Sequence, residues 1–295
     1  MRIFLAYATV VLLWGTTPLA IKWSADGPGF LFGVFARMAI GTACVLFLLL
    51  IIRQRLPMNA RALWSYAAGA VQIYGAMICV YWSSQFIPSG WISVVFGLSP
   101  LITALMASTW LGERVLAPHQ LLSFTLGLAG LWMLFGSASA LGGSAVLGII
   151  GVVMSALLQC ASAVWIKRID AGTPALAQLA GSLLLAMPAY LATWIFLEEA
   201  WPEYLSERSI AAILYLGGIA TTLGFSLYFY LLSRITATAL SLISLLSPVL
   251  ALFIGHWVDS EPVTANTIFG TSLILGSLIL FQGLGRVSRP RAQPE

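Results

Sequence analysis

"LSPLITALMASTWLGER" occupies Leu98–Arg114, and "LSPVLALFIGHWVDSEP" occupies Leu246–Pro262. Both open on Leu-Ser-Pro, both carry a Glu fourteen residues after the Ser, and they stand 148 positions apart in a chain of 295. The same phrase thus falls once in each half. What surrounds it is apolar: 60% of the residues are hydrophobic and 8% are charged, against about 25% charged in soluble domains.

Uncharged runs of membrane-crossing length follow one another along the chain. Ile3–Ile21, Ala171–Leu197, Ser209–Ser233, Ile235–Val258 and Pro262–Gly285 each exceed the roughly 18 residues a bilayer requires. Ala62–Gly112 and Val115–Ile166 are about twice that length. Each is divided near its middle by turn chemistry, "IPSG" at Ile87–Gly90 and "GSASALGGSA" at Gly136–Ala145. With Phe30–Ile52, which holds the single charge Arg37, the chain reads as an all-α polytopic membrane protein of ten transmembrane spans. Arg2 ahead of the first apolar run resembles a secretory signal, but Trp14 and Pro18 within the run, and the need for this span to complete a repeat, favour a membrane helix. Cys44, Cys79 and Cys160 all fall inside spans without metal-ligand spacing and read as packing residues.

Basic residues are retained on the cytoplasmic side of a membrane. A cytoplasmic N-terminus puts eleven of the fourteen Lys and Arg residues inside, leaving Lys22 and Arg208 outside and Arg37 within the bilayer. Both termini are then cytoplasmic in a bacterial inner membrane, and the acidic cluster Glu198, Glu199, Glu203 and Glu207, with Asp259 and Glu261, faces outward. The basic residues are too scattered for nucleic acid.

An offset of 148 residues corresponds to five spans per half, and an odd number inverts the second half. "LAIKW" at Leu19–Trp23 and "VWIKR" at Val164–Arg168, which contain the only two lysines, close the first and sixth spans. The expected domains are residues 1–136 and 137–285 as inverted five-helix repeats, followed by a basic cytoplasmic tail, 286–295. Such repeats are frequent in secondary transporters, whose sites lie between the halves at interrupted helices. Pro100 and Pro248 supply matched interruptions in the fourth and ninth spans. Each either opens a cavity wall or kinks a helix for packing.

"WGTTPLAIK" at Trp14–Lys22, "FARMAIG" at Phe35–Gly41 and "LSPLITALMASTWLGER", in that order over ten spans, resemble the EamA-type exporters of the drug/metabolite transporter superfamily. The resemblance covers nearly the whole chain, and its overall character is similar to that of the bacterial aromatic amino-acid exporters in the family. It implies a small-molecule substrate, no cofactor and no enzymatic activity. The second copy departs from the pattern with "DSEP", so only Glu113 matches the family's Glu at the cytoplasmic corner.

Candidate substrate-binding residues are the polar and aromatic groups within spans: Trp14, Gln72, Tyr81, Trp82, Trp91, Ser99, Gln159, Ser162, Ser226, Tyr230 and Ser244. For a single hydroxyl the competing role is inter-helix hydrogen bonding, worth about 0.6 kcal/mol. Gln72 and Gln159 are the stronger candidates, since an amide both donates and accepts. Arg37, grouped with Pro100 and Pro248 as helix-break or gating residues, has two roles open to it, a tie to carbonyls at a helix end or a partner for a substrate carboxylate. Lys22 is expected to snorkel to the outer surface, and Trp64, Trp110, Trp201 and Trp257 to anchor span ends.

The expected solutes are amphipathic and neutral or zwitterionic, such as aromatic and branched amino acids. There is no phosphate-binding G-x-x-x-x-G-K-[ST], no Asp or Glu lies at membrane depth, and His119 and His256 sit near span ends. A monomeric facilitator or exchanger is therefore expected. Proton-coupled export of other solutes or drugs, and a lipid flippase or membrane scaffold, are the alternatives.

Cysteines placed at positions 140 and 203 should react with an impermeant thiol reagent from outside intact cells, and one at position 57 should not. Labelling of position 57 from outside would reverse the orientation.

Overall fold

The computed structural model describes residues 2–112, 118–141, 143–197, 202, 204–241, 243 and 247–283. Its helices are α1 (Arg2–Ala25), α2 (Phe30–Ile51), α3 (Ala60–Ser83), α4 (Ser89–Trp110), α5 (Pro118–Leu141), α6 (Gly143–Ile169), α7 (Ala175–Leu197), α8 (Glu207–Arg234), α9 (Ala237–Ser241), α10 (Ser247–Asp259) and α11 (Ala265–Gly283). No strand occurs among the described residues. Seven of these helices are long and apolar enough to cross a membrane, and shorter apolar segments lie in α5 and α11. The molecule is an all-α polytopic membrane protein.

Large apolar side chains face outward along the helices, among them Phe47, Trp132, Phe196 and Phe269. That arrangement suits a surface bathed in lipid, where outward Leu and Phe cost nothing. Inside, Met38, Tyr81, Trp91, Leu183 and Leu216 are fully enclosed. Helix caps appear where the chain meets water: Asn59 accepts from the Ala62 amide at the start of α3, and Ser206 accepts from the Ser209 amide at the start of α8.

One end of the bundle gathers the finish of α1 and α10 and the start of α4 and α8, because Ser209 Oγ donates to the Trp23 and Asp26 carbonyls and Glu261 reaches Ser89. Asp26, Glu207, Asp259 and Glu261 make this the acidic end. The opposite end gathers the starts of α3 and α7, where Ser65 Oγ donates to Gln178 Oε1 at 2.6 Å and Gln178 Nε2 donates to the Ser65 carbonyl at 2.8 Å. Arg53, Arg55, Arg61, Lys167, Arg168 and Arg234 make it the basic end.

Three features depart from the expectation. Helix continues through Gly136–Leu141 and α6 starts at Gly143, so the break falls later than "GSASALGGSA" indicates, and position 136/137 falls inside α5. In α4 the regular helix stops at Phe96 and restarts at Ser99, so Pro100 stands in the first turn of a new segment, where its missing N–H costs nothing. Pro248 has the same place in α10; Ser244, the candidate just before it, lies outside the described residues.

The third departure is wide helical winding, of which the sequence gives no sign: Val71–Ala76 in α3 and Tyr215–Phe225 in α8 are π-helical. Such segments are rare and shift the backbone bonding pattern. In α3 two carbonyls of the segment accept from neighbouring helices, Ile73 from the Tyr190 hydroxyl and Ala76 from Ser155 Oγ at 2.6 Å. The winding therefore persists at membrane depth with its freed acceptors satisfied.

Candidate functional site

Between the halves lies a cavity of about 850 Å³, counting the space at its mouth. Trp14, Thr17, Pro18 and Ile21 of α1, Arg37 of α2, Ser99 and Thr103 of α4, Gln159 and Cys160 of α6, and Phe225 and Tyr228 of α8 contribute to its wall. The Trp14 and Tyr228 rings on this wall stand 5.3 Å apart. No Asp or Glu lines it. Its wall runs from Ile21 and Ile92, one turn below the acidic end, to Ala237 and Leu240 in the short helix that starts at the basic end.

Of the sequence candidates, Trp14, Ser99, Gln159 and Arg37 meet on this wall. Ser99 Oγ is buried without a hydrogen-bond partner, and the Ser99 carbonyl accepts from Cys160 Sγ at 3.5 Å. The remaining candidates stand elsewhere. Gln72 is fully enclosed in the π segment of α3, with neither amide atom partnered. Tyr81 lies behind Arg37, its ring 5.9 Å from the guanidinium carbon. Trp82 packs edge-on against Phe86, and Trp91 and Ser162 are buried without partners for Nε1 and Oγ. Ser226 Oγ donates to the Thr222 carbonyl within its own helix. Tyr230 sits under Arg234 at the basic end. Periodicity groups residues by the faces of a regular helix; Gln72 lies within the π segment of α3 and Ser226 directly after that of α8, and neither reaches the cavity.

Above the cavity, at the acidic end, is a cluster the sequence reading did not anticipate. Lys22 Nζ lies 2.8 Å from Glu261 Oε1 and 3.0 Å from Asp259 Oδ2, so it is tied across the bundle rather than extended to the surface. Trp23 Nε1 donates to Asp259 Oδ1 at 3.0 Å, and Arg208 approaches the same carboxylate at 3.6 Å. Glu261 also accepts from the Ser89 amide at 2.8 Å, from Ser89 Oγ at 2.9 Å and from the Gly90 amide at 3.3 Å.

The first turn of α4 begins after Pro88, which has no side-chain cap, so the carboxylate of a distant residue caps it instead. Room for that carboxylate comes from Gly255, where a Cβ would fall 2.4 Å from Glu261 Oε2. A signal did exist: Glu261 occupies in its half the position that Glu113 holds in the other. Glu113 itself lies outside the described residues, as do Trp201 and the His119 side chain. Trp64 and Trp257 are exposed, as span-end anchors would be.

An apolar helical bundle enclosing a cavity lined by aromatic and polar residues and one arginine defines a membrane transporter. The chain belongs to the EamA-like transporter family, which matches residues 1–136 and 146–282. It is 28% identical over 281 residues to the "Uncharacterized transporter YoaV" of Bacillus subtilis, covering 92% of this chain and 94% of that one. It is 25% identical over 289 residues to the "Probable terminal-alkyne amino-acid exporter" of Streptantibioticus cattleyicolor, covering 93% and 92%. A solved crystal structure matches with a TM-score of 0.71 at 22% identity, over 96% of this chain and 98% of that one, which shows the shared fold.

Glu261→Gln should lower the unfolding midpoint of purified protein more than Asp259→Asn. Glu261 is 5% exposed and holds both Lys22 and a helix terminus, whereas Asp259 shares its charge with the 58%-exposed Arg208. Charged hydrogen bonds of the first kind are worth about 1.5–3 kcal/mol each, exposed pairs about 0.2–1 kcal/mol. The reverse order in a thermal melt would remove Glu261 from the centre of the cluster.

Proposed function

We propose that this protein exports small amphipathic metabolites, amino acids with aromatic or other apolar side chains foremost, across the bacterial inner membrane. It works as a monomer by alternating access, as a facilitator or exchanger, with both termini in the cytoplasm. The observation that carries the reading is the cavity itself. Its wall reaches the basic end while the acidic end is tied by Lys22, Asp259 and Glu261. With the basic end cytoplasmic, the cavity faces the cytoplasm beneath a closed outer side, the posture in which an exporter takes up its load. The printed name of the Streptantibioticus relative supports amino acids as the solute class.

Alternating access requires the halves to exchange conformations, and several correspondences support ten spans in two inverted repeats. The family matches two stretches of similar length, one in each half. The π segments occupy equivalent places: Val71–Ala76 shifted by 148 lies within Tyr215–Phe225. Gly69 and Gly217 are also 148 apart, and each lets a helix of the other half come close. A Cβ at Gly69 would sit 2.1 Å from Ser182 Oγ of α7, and one at Gly217 would sit 2.9 Å from the Arg37 carbonyl of α2. Gly112 and Ser260, again 148 apart, have φ values of 67° and 52° just past the ends of α4 and α10.

The mechanism follows from the wall chemistry. A ring or branched body packs against the Trp14–Tyr228 pair, while the Ser99 hydroxyl and the Gln159 amide offer donors and acceptors to a polar head. Opening the acidic end then separates Lys22 of α1 from Asp259 and Glu261 at the end of α10. Among the described residues no carboxylate lines the cavity, which supports a facilitator or exchanger.

Purified protein in liposomes should therefore exchange L-phenylalanine down its gradient with no imposed pH difference, and reversing the pH gradient should change the rate only slightly. Accumulation against a concentration gradient only when a proton gradient is present would contradict the facilitator reading. Absence of L-phenylalanine, L-leucine and L-tryptophan movement under every condition would contradict the amino-acid reading.

A further inference from the structure

Arg37 is a cation placed deep in the bundle without a counter-ion. Its side chain is 2% exposed, and among the described residues no carboxylate pairs with it. One guanidinium nitrogen is accounted for: Nε donates to Thr221 Oγ1, which the π segment of α8 presents, at 3.0 Å. The Tyr81 ring lies behind the guanidinium carbon. The terminal nitrogen Nη1 has no hydrogen-bond partner although it is buried, and the residue forms part of the cavity wall.

Leaving a buried charge uncompensated is strongly unfavourable, and in membrane helices such residues serve function. A tie between α2 and α8 needs only Nε and would be met by a neutral donor. Thr221 holds the group through Nε, and Nη1 is left unpaired in a residue that contributes to the cavity wall. The geometry points to Arg37 as the carboxylate-binding residue of the central cavity, so that the transported solutes carry a free carboxylate and their decarboxylated amines are rejected.

The guanidinium edge offers parallel N–H donors that match a carboxylate and that no neutral side chain reproduces. The aromatic pair Trp14 and Tyr228 stands on the same wall, so an acid with a ring attached at its α-carbon would place its two ends against complementary surfaces. A ligand lacking the carboxylate would leave the cation buried and unpaired, a discrimination larger than any obtained from methylene packing. This inference rests on the transport reading only in taking the cavity to be the solute's.

The test compares three compounds with one aromatic body, phenylacetate, L-phenylalanine and phenethylamine, at constant ionic strength in thermal melts of purified protein. The two carboxylates should raise the unfolding midpoint and phenethylamine should not. Arg37→Gln should weaken phenylacetate binding about ten- to hundredfold, and Arg37→Lys, which keeps the charge without the Thr221 geometry, should recover part of it. In the wild-type protein phenylacetate should slow phenylglyoxal modification of the peptide containing Arg37, a reading that needs no variant to fold.

Stabilisation by phenethylamine equal to that by phenylacetate would overturn the inference. So would unchanged phenylacetate binding in Arg37→Gln, failure of every carboxylate to stabilise the wild type, or protection by inorganic phosphate as good as that by phenylacetate. Carboxylate binding that depends on Arg37 in a protein that moves no L-phenylalanine through liposomes would support the site and count against export alone.

Discussion

A hydrocarbon layer offers no water to complete a hydrogen bond, so any polar group at membrane depth must find its partner within the chain. The irregular features of this protein obey that constraint one after another. The π winding of α3 frees carbonyls that Tyr190 and Ser155 take up. The uncapped start of α4 is met by Glu261, a residue 172 positions away from Ser89. Lys22 is neutralised by two carboxylates, one at the last residue of α10 and one just beyond it. Arg37 Nη1 and Ser99 Oγ are unmet in residues of the cavity wall, whereas Gln72, Trp91 and Ser162 are unmet away from it.

The two halves are alike in plan and unlike in the residues that close their ends. The first half ends its repeated phrase on Gly-Glu-Arg, the second on Ser-Glu-Pro. In the second half the Glu folds inward to cap α4, and the chain reaches it through Ser260 with its left-handed backbone. Pro262 directly after it cannot extend a helix backward, which leaves the carboxylate free to turn into the bundle. The tie at the acidic end thus has no counterpart among the described residues at the end of the other repeated phrase.

Much of the fold was legible because it rests on composition and spacing. Long uncharged runs marked the helices, and "IPSG" marked the turn before α4. The repeat of Leu-Ser-Pro pointed to the helix restart at Ser99, although a proline alone does not say whether a helix bends or stops. The site was legible in part. Trp14, Ser99, Gln159 and Arg37 reached the cavity wall, none of them within or directly after a π segment. Gln72 and Ser226 did not, since no local pattern encodes a π segment and each lies within or directly after one. The Lys22–Glu261 pair was hidden because its partners are 239 residues apart and join only through packing.

The central claim, that the acidic and basic ends open in alternation around one cavity, is tested most directly by distances between paired spin labels. One pair at Gln85 and Ser260 spans the acidic end, and another at Met58 and Ser233 reports on the basic end; all four positions are exposed. Alternating access requires that saturating L-phenylalanine shift the two distance distributions in opposite senses, the acidic-end pair lengthening as the basic-end pair shortens. Distances that stay fixed at both ends while solute is transported, or that lengthen together, would contradict it.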